Sequence, residues 1–217
     1  MTIANVKSQE IAVLLGAGSI GQAIIRRVAS GRRVLLGDLR QDNLDRVAES
    51  LLDAGFEVET KIVDASKRDS IRDFAQYAAS LGEVKYYVHT SGVSPNQGVA
   101  RLVLDVDLIG TAIALEEFGK VIAVGGAGLV VSNQAGYMIP NLEPETEELL
   151  ASTKPEDMIN LPFLSEDLVP NGGAAYGISK KANQIHVQQV LICLWMAESS
   201  LLLKLDALNS NNKGKAI

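Results

Sequence analysis

Short, unbroken apolar runs alternate along this 217-residue chain with stretches whose apolar residues recur at helical spacing. The first run, IAVLLG at 11–16, has the length of a strand and no polar position, as a strand covered on both faces of a parallel sheet requires. After it, Ile20, Ala23, Ile24 and Val28 keep the step of a helix that ends near Gly31. Further strand candidates follow at 33–38 (RVLLGD), 57–64 (EVETKIVD), 84–92 (VKYYVHTSG) and 127–133 (AGLVVSN). Helical stretches separate them at about 41–54, through Ile71, Phe74, Ala75 and Ala78, and over about 99–118. Strands and helices in this order form right-handed βαβ units, so the chain reads as a doubly wound α/β fold with a parallel sheet.

The length suits one domain over 1–217 with a substantial core. Apolar residues at 47% and charged residues at 21% are ordinary globular usage, which argues against disorder. A net charge of -6 without a dense Lys/Arg stripe gives no footprint for nucleic acid. The first ten residues lack the apolar centre of a secretory signal, and no uncharged run reaches the roughly 18–20 residues that span a bilayer. We therefore expect a soluble, cytoplasmic protein with no membrane partner. Cys193 stands alone, so neither an internal disulfide nor a thiolate metal cluster is expected, and His89 and His186 suggest no metal site.

The alternation stops at 137–171, which holds five of the six prolines and the acidic run EPETEE. So long an excursion reads as an inserted loop or lid with at most short helices. Helical character returns in AAYGISKKANQIHVQQVLICLW, with Ile178, Ala182, Ile185, Gln189 and Ile192 on one side.

Two motifs carry chemistry. In GAGSIG, Gly16 allows a tight turn out of the first strand, Gly18 lets backbone approach a pyrophosphate, and Gly21 lets the next helix pack closely. The helix start at Ser19 and Ile20 offers free N–H groups and a partial positive charge to phosphates. Asp38, followed by Leu39, ends the second strand 20 residues after Gly18, where a carboxylate accepts from an adenosine ribose and repels a 2′-phosphate. This favours NAD over NADP, although Arg40 lies close by. The second motif is Tyr176-Gly-Ile-Ser-Lys180: residues i and i+4 share a helix face, and a nearby ammonium favours phenolate over phenol. Such a tyrosine can exchange a proton with a carbonyl or alcohol oxygen.

In order and spacing, GAGSIG, Asp38, VDAS at 63–66, HTSG at 89–92, VDLIGT at 106–111, VVSNQAG at 130–136 and YGISK at 176–180 resemble the short-chain dehydrogenases/reductases. The resemblance covers about 11–190. It implies a Rossmann fold, an NAD(P)-dependent oxidoreductase, and a small-molecule alcohol or carbonyl substrate. It implies Asp64 and Ala65 at the adenine, and His89, Thr90, Ser91 and Gly92 in a turn beside the cofactor. Lys180 would hydrogen-bond the nicotinamide ribose while supporting Tyr176. A homodimer or homotetramer is expected by resemblance only.

The chain also departs from the family pattern. The family's active-site serine stands three residues before the glycine that closes the fifth-strand motif, which is Asn133 here; a slip of one residue at the strand end would turn Ser132 inward instead. The family's V-N-L-x-G asparagine is Asp107, an acceptor only. No proline follows Pro170 and Gly214 is the only glycine after Gly177, so 191–217 read as an atypical or truncated tail lacking the family's Pro-Gly turn. Two readings stand: an oxidoreductase interconverting a secondary alcohol and a ketone with Tyr176 as general acid/base, and a catalytically impaired dinucleotide-binding member of the same fold.

Overall fold

A computed structural model describes residues 9–196, with side chains described through residue 190. Most of the 191–217 tail therefore lies outside the described residues.

The strands among the described residues are β1 (Glu10–Leu15), β2 (Arg33–Asp38), β3 (Val58–Ile62), β4 (Glu83–His89) and β5 (Ile122–Val130). All pair in parallel, in the order β3-β2-β1-β4-β5. The helices α1 (Ser19–Val28), α2 (Gln41–Leu52) and α3 (Arg68–Leu81) connect the first four. The chain leaves β1 toward β2 and β3, then returns to place β4 on the other side of β1. In such sheets the crevice at this reversal, beyond the strand C-termini, is where ligands bind.

Two apolar layers explain the uninterrupted strand sequences. Ile11, Val13 and Leu15 face one layer with Phe74, Ala78, Phe118 and Tyr87, whereas Ala12 and Leu14 face the other with Ile25, Leu44 and Val47. Tyr87 stacks on Phe118 at 3.7 Å between ring centres, and Phe74 meets Phe118 edge-on at 5.8 Å. Both faces of β1 are thus dry, and a polar residue at any of these positions would lack a partner.

The segment expected as one helix over 99–118 runs as α4 (Ala100–Val103), a π-helical stretch over Leu104–Gly110, and α5 (Thr111–Gly119). Gly110 backs onto the Ala65 carbonyl so closely that a side chain there would collide with it. β5 begins five residues before the expected 127 and admits a register shift opposite Val84/Tyr86, with Gly125 at φ 73°.

The 137–171 excursion is packed. After α6 (Ala135–Met138) come α7 (Pro144–Ser152) and two 3-10 turns, Pro155–Asn160 and Pro162–Leu164, and Leu150, Met158, Leu164 and Val169 are buried in the same core as β1. Arg68 ties it down by pairing with Glu156 as well as with Glu116 and Glu117. The long helix α8 (Gly172–Met196) follows. Its inward residues are Ala175, Ser179, Lys180, Ala182, Asn183, His186 and Val187, with Ile178 and Ile185 partly buried and Gln189 exposed. Its buried side is therefore half polar, which weakens the apolar periodicity. No helix among the described residues is long and apolar enough to cross a membrane.

Candidate active site

A cleft of about 450 Å³ opens at the sheet reversal, lined by Gly16, Gly18, Asp38, Leu39, Asp64, Ala65, Thr90, Ser91 and Gly92. Nine residues singled out in the sequence thus meet around one cavity. Gly16 turns the chain at φ 101°, a conformation that disfavours any side chain, and its N–H donates to the Gly37 carbonyl at 2.8 Å. The Thr90 hydroxyl donates to the Gly16 carbonyl at 2.7 Å, and the Thr90 N–H to Leu15 at 2.8 Å, locking the glycine turn to the end of β4.

A Cβ on Gly21 would fall 2.5 Å from Thr90 Oγ1 and 2.7 Å from Leu14, so no side chain fits there. At Gly18 a Cβ would meet nothing. That open space is over the start of α1, which has no side-chain cap and no acidic residue in its first turn. Uncapped N–H groups, the helix dipole and free volume above them make an anion cradle. The residues present fit a dinucleotide pyrophosphate.

Asp38 is drawn tightly into the loop: its carboxylate accepts from Ala17 N–H at 2.7 Å, Arg40 N–H at 2.9 Å and the Asn43 amide at 3.2 Å. Arg40 turns its guanidinium to Asp42, with Nε 2.9 Å from Oδ1. Across the cleft, Asp64 accepts from the Ser66 N–H at 2.9 Å and hydroxyl at 2.7 Å.

Beside the cleft, Tyr176 and Lys180 share a face of α8, with Lys180 Nζ 5.0 Å from the phenol ring centre. Asn133 Nδ2 donates to Tyr176 Oη at 2.7 Å, and its Oδ1 accepts from Ala135 N–H at 2.9 Å. Ser132 turns the other way and donates to the Lys180 carbonyl at 2.8 Å. Close packing at Gly136, where a Cβ would fall 2.8 Å from Lys181 N, presses α6 onto α8 and so brings Asn133 to the tyrosine.

Under the Gly92 turn lies a buried polar cluster. Asp107, with no exposed surface, accepts from Val93 N–H at 2.6 Å through Oδ1 and pairs with Lys180 Nζ at 3.0 Å through Oδ2. The second contact is an ion pair without the alignment of a hydrogen bond. The Asp107 carbonyl accepts from the Thr111 hydroxyl at 2.9 Å and, with the Asn183 amide turned toward its two acceptors, from that amide at 2.9 Å. Thr111 Oγ1 is also 3.2 Å from His89 Nε2, and Tyr87 Oη lies 2.7 Å from His89 Nδ1. If Thr111 donates to the carbonyl, the chain reads Tyr87 O–H to Nδ1 and Nε2–H to Thr111, a neutral imidazole. Burial, seconded by the Lys180 charge, pushes His89 down to about 3, and burial pushes the Tyr87 phenol up. Burial also raises the Asp107 carboxyl, against the pull of Lys180. The His89 side chain thus points into the core and stays out of the cleft that Thr90, Ser91 and Gly92 line.

No family model matches the chain. The short-chain dehydrogenase/reductase bsc3 of Alternaria brassicicola is 40% identical to it over 182 residues, 83% of the chain. The chain belongs to the short-chain dehydrogenase/reductase family. It spans 66% of the length of that relative. Among solved structures, a short-chain dehydrogenase/reductase of Burkholderia phymatum in complex with NAD superposes with a TM-score of 0.66 at 22% identity, over 91% of this chain and 64% of that one. An alcohol dehydrogenase of Thermococcus sibiricus complexed with 5-hydroxy-NADP gives 0.60 at 22%, over 85% and 71%. At these identities the structural likeness is one of fold.

As a short-chain dehydrogenase/reductase, the chain is unusual in two side chains of its Tyr/Lys neighbourhood. An amide, Asn133, stands where the resemblance puts a serine hydroxyl, and a carboxylate, Asp107, where it puts an asparagine. The sequence reading did not single out Val93, Thr111 or Asn183, which complete the cluster. Thr111 falls inside the VDLIGT match; Val93 contributes only a backbone N–H, which no side-chain pattern reveals. Gln97 and Leu102 also line the cleft and carried no motif, whereas Val63, Ser66 and Val106 line it from inside the VDAS and VDLIGT matches. Among the described residues, no group of three or more His, Cys, Asp or Glu is placed to hold a metal ion.

Proposed function

We propose that the protein is an oxidoreductase that binds a nicotinamide dinucleotide, NAD in preference to NADP, and interconverts a secondary alcohol and a ketone. The observation that carries the reading is the contact of Asn133 with Tyr176, beside Lys180 and next to a cleft whose glycine cradle leaves room for a pyrophosphate. Gly16, Gly18, Ser19, Ile20 and Gly21 would hold the pyrophosphate, Asp38 and Leu39 the adenosine ribose side, Asp64 and Ala65 the adenine, and Thr90, Ser91 and Gly92 the nicotinamide side. When bound, the nicotinamide supplies or accepts the hydride.

In reduction, Tyr176 gives its hydroxyl proton to the carbonyl oxygen; in oxidation it takes the proton from the alcohol. The Asn133 N–H and the Lys180 ammonium stabilise the phenolate that this transfer creates. Asp38 supports the NAD preference, since a carboxylate repels a 2′-phosphate and Arg40, the cation beside it, is engaged by Asp42.

The test is thermal shift with NADH and NADPH, then absorbance of the reduced cofactor with a panel of alcohols and ketones. Stabilisation by NADH above NADPH, with turnover that Tyr176→Phe abolishes, supports the proposal. No stabilisation by either cofactor overturns it. A second reading, a dinucleotide-binding member without turnover, draws on Asn133 itself, because an amide cannot relay a hydroxyl proton. Binding with no turnover of any substrate, in either direction, would favour that reading.

A further inference from the structure

The Asp107 carboxylate is buried where three groups converge: the Val93 N–H on Oδ1, the Lys180 ammonium on Oδ2, and Gly92, where a Cβ would lie 3.1 Å from Oδ2. Two of these are donors, one on each oxygen. An asparagine offers a single acceptor oxygen, so it would leave either the Val93 N–H or the ammonium facing an NH₂ group. The carboxylate presents an oxygen to each, as a hydrogen-bond acceptor for Val93 and as the ion-pair partner of Lys180, and in doing so it joins the cofactor-side turn to the catalytic helix. The ammonium consequently stands between two groups that compete for it, 3.0 Å from the carboxylate and 5.0 Å from the centre of the Tyr176 ring.

Little other charge faces this pair among the described residues. From β4, His89 and Tyr87 are hydrogen-bonded to one another, and burial disfavours charge on both. On α8, Lys181 pairs with Glu147 of α7 at 3.4 Å, and burial holds His186 down. On the π-helical stretch, Asp105 pairs with Arg101 at 2.9 Å.

We propose that Asp107 is a positioning residue that acts through Lys180: its carboxylate anchors the ammonium beneath the Gly92–Val93 turn, and its negative charge offsets part of the ammonium's field at Tyr176. The pair as a whole, and not Lys180 alone, then sets the pH range over which the phenol takes and gives its proton. This rests on the reading of Tyr176 as the general acid/base.

Two variants of the full chain test it, Asp107→Asn and Thr111→Val, each with two readouts. One is the pH profile of kcat/KM for alcohol oxidation; the other is direct titration of the Tyr176 phenolate by its absorbance, with Tyr176→Phe as the blank. Removing the negative charge leaves the ammonium's field uncompensated, so in Asp107→Asn the rising limb and the phenolate titration both move to lower pH, by about one unit or tenfold in proton affinity. Thr111→Val disturbs the same cluster without a change of charge, and both readouts stay in place. If Asp107→Asn does not fold, Gly92→Ala replaces it: its methyl group presses on Oδ2, and the phenolate titration moves in the same direction. Curves for Asp107→Asn that superpose on the parent overturn the proposal, and so does an equal shift in Thr111→Val, which would assign the effect to packing. A parent that turns over no alcohol or ketone ends the reading of the reaction, while the phenolate titration still decides the role of Asp107.

Discussion

The side-chain amide of Asn133 is held at both ends: Ala135 N–H donates to its oxygen at 2.9 Å, and its nitrogen donates to Tyr176 Oη at 2.7 Å. The first bond fixes which end of the amide meets the tyrosine. Asn133 therefore acts as a donor to the phenol oxygen in either protonation state and stabilises the phenolate more, because hydrogen bonds to charged acceptors are the stronger ones. Asn133→Ala is expected to lower kcat about 10²-fold, the cost of removing one fixed donor from a developing anion. The thermal shift produced by NADH should be unchanged. Asn133→Asp keeps the Ala135 bond but sets an anion against the phenol, and its pH profile should move to higher pH. A fully active Asn133→Ala variant would refute the role.

The cradle glycines separate folding from binding. Gly21→Ala places a methyl group against Thr90, Leu14 and the Gly16 carbonyl, within 2.5–2.7 Å of each. Overpacking of this kind costs about 1–3 kcal/mol, read as a lower melting temperature of the cofactor-free protein. Gly18→Ala meets no protein atom, so the free protein should melt like the parent and lose only the stabilisation by NADH. Equal behaviour of the two variants in both assays would mean that the space over Gly18 is not the pyrophosphate site.

Much of this was legible in the sequence, for physical reasons. Strands dry on both faces leave unbroken apolar runs, and β1 and β2 lie where those runs do. The cleft residues were legible because close backbone approach demands glycine and ribose recognition favours a carboxylate at a strand end. The choice between Ser132 and Asn133 was not, since it depends on how the chain turns after β5. A π-helical stretch also leaves no mark on a pattern read at helical spacing, so the inward placement of Asp107 was visible only by resemblance. The inner side of α8 escaped periodicity because Ser179, Lys180, Asn183 and His186 occupy it.

The packing of the 137–171 excursion bears on its role. An open lid would tolerate truncation of its apolar residues, but Leu150 has no exposed surface and its carbonyl lies 3.0 Å from His186 Nε2 on α8. Leu150→Ala should cost about 2–5 kcal/mol, as for other buried leucines, measured by urea unfolding. A loss below about 0.5 kcal/mol, typical of surface positions, would show that the segment does not share the core.

His89 makes the fold sensitive to acid. Its imidazole is pushed from 6.5 to about 3 by burial, so between these values the unfolded chain binds a proton that the folded chain refuses. Stability must then be full above about pH 6.5 and fall as the pH drops toward 3, by about 1.4 kcal/mol per unit within that window. His186, also lowered by burial, adds a slope of the same sign, whereas Asp107, raised by burial, adds one of the opposite sign. The His89 share is isolated by His89→Asn, which removes the titratable ring and leaves the other two groups in place. Urea unfolding at a series of pH values from 7 to 4 should give a flatter stability curve for His89→Asn than for the parent, the two differing most at the acid end. Parallel curves would show that the folded protein protonates His89 as readily as the unfolded chain does, and that the Tyr87–His89–Thr111 chain does not hold a neutral ring.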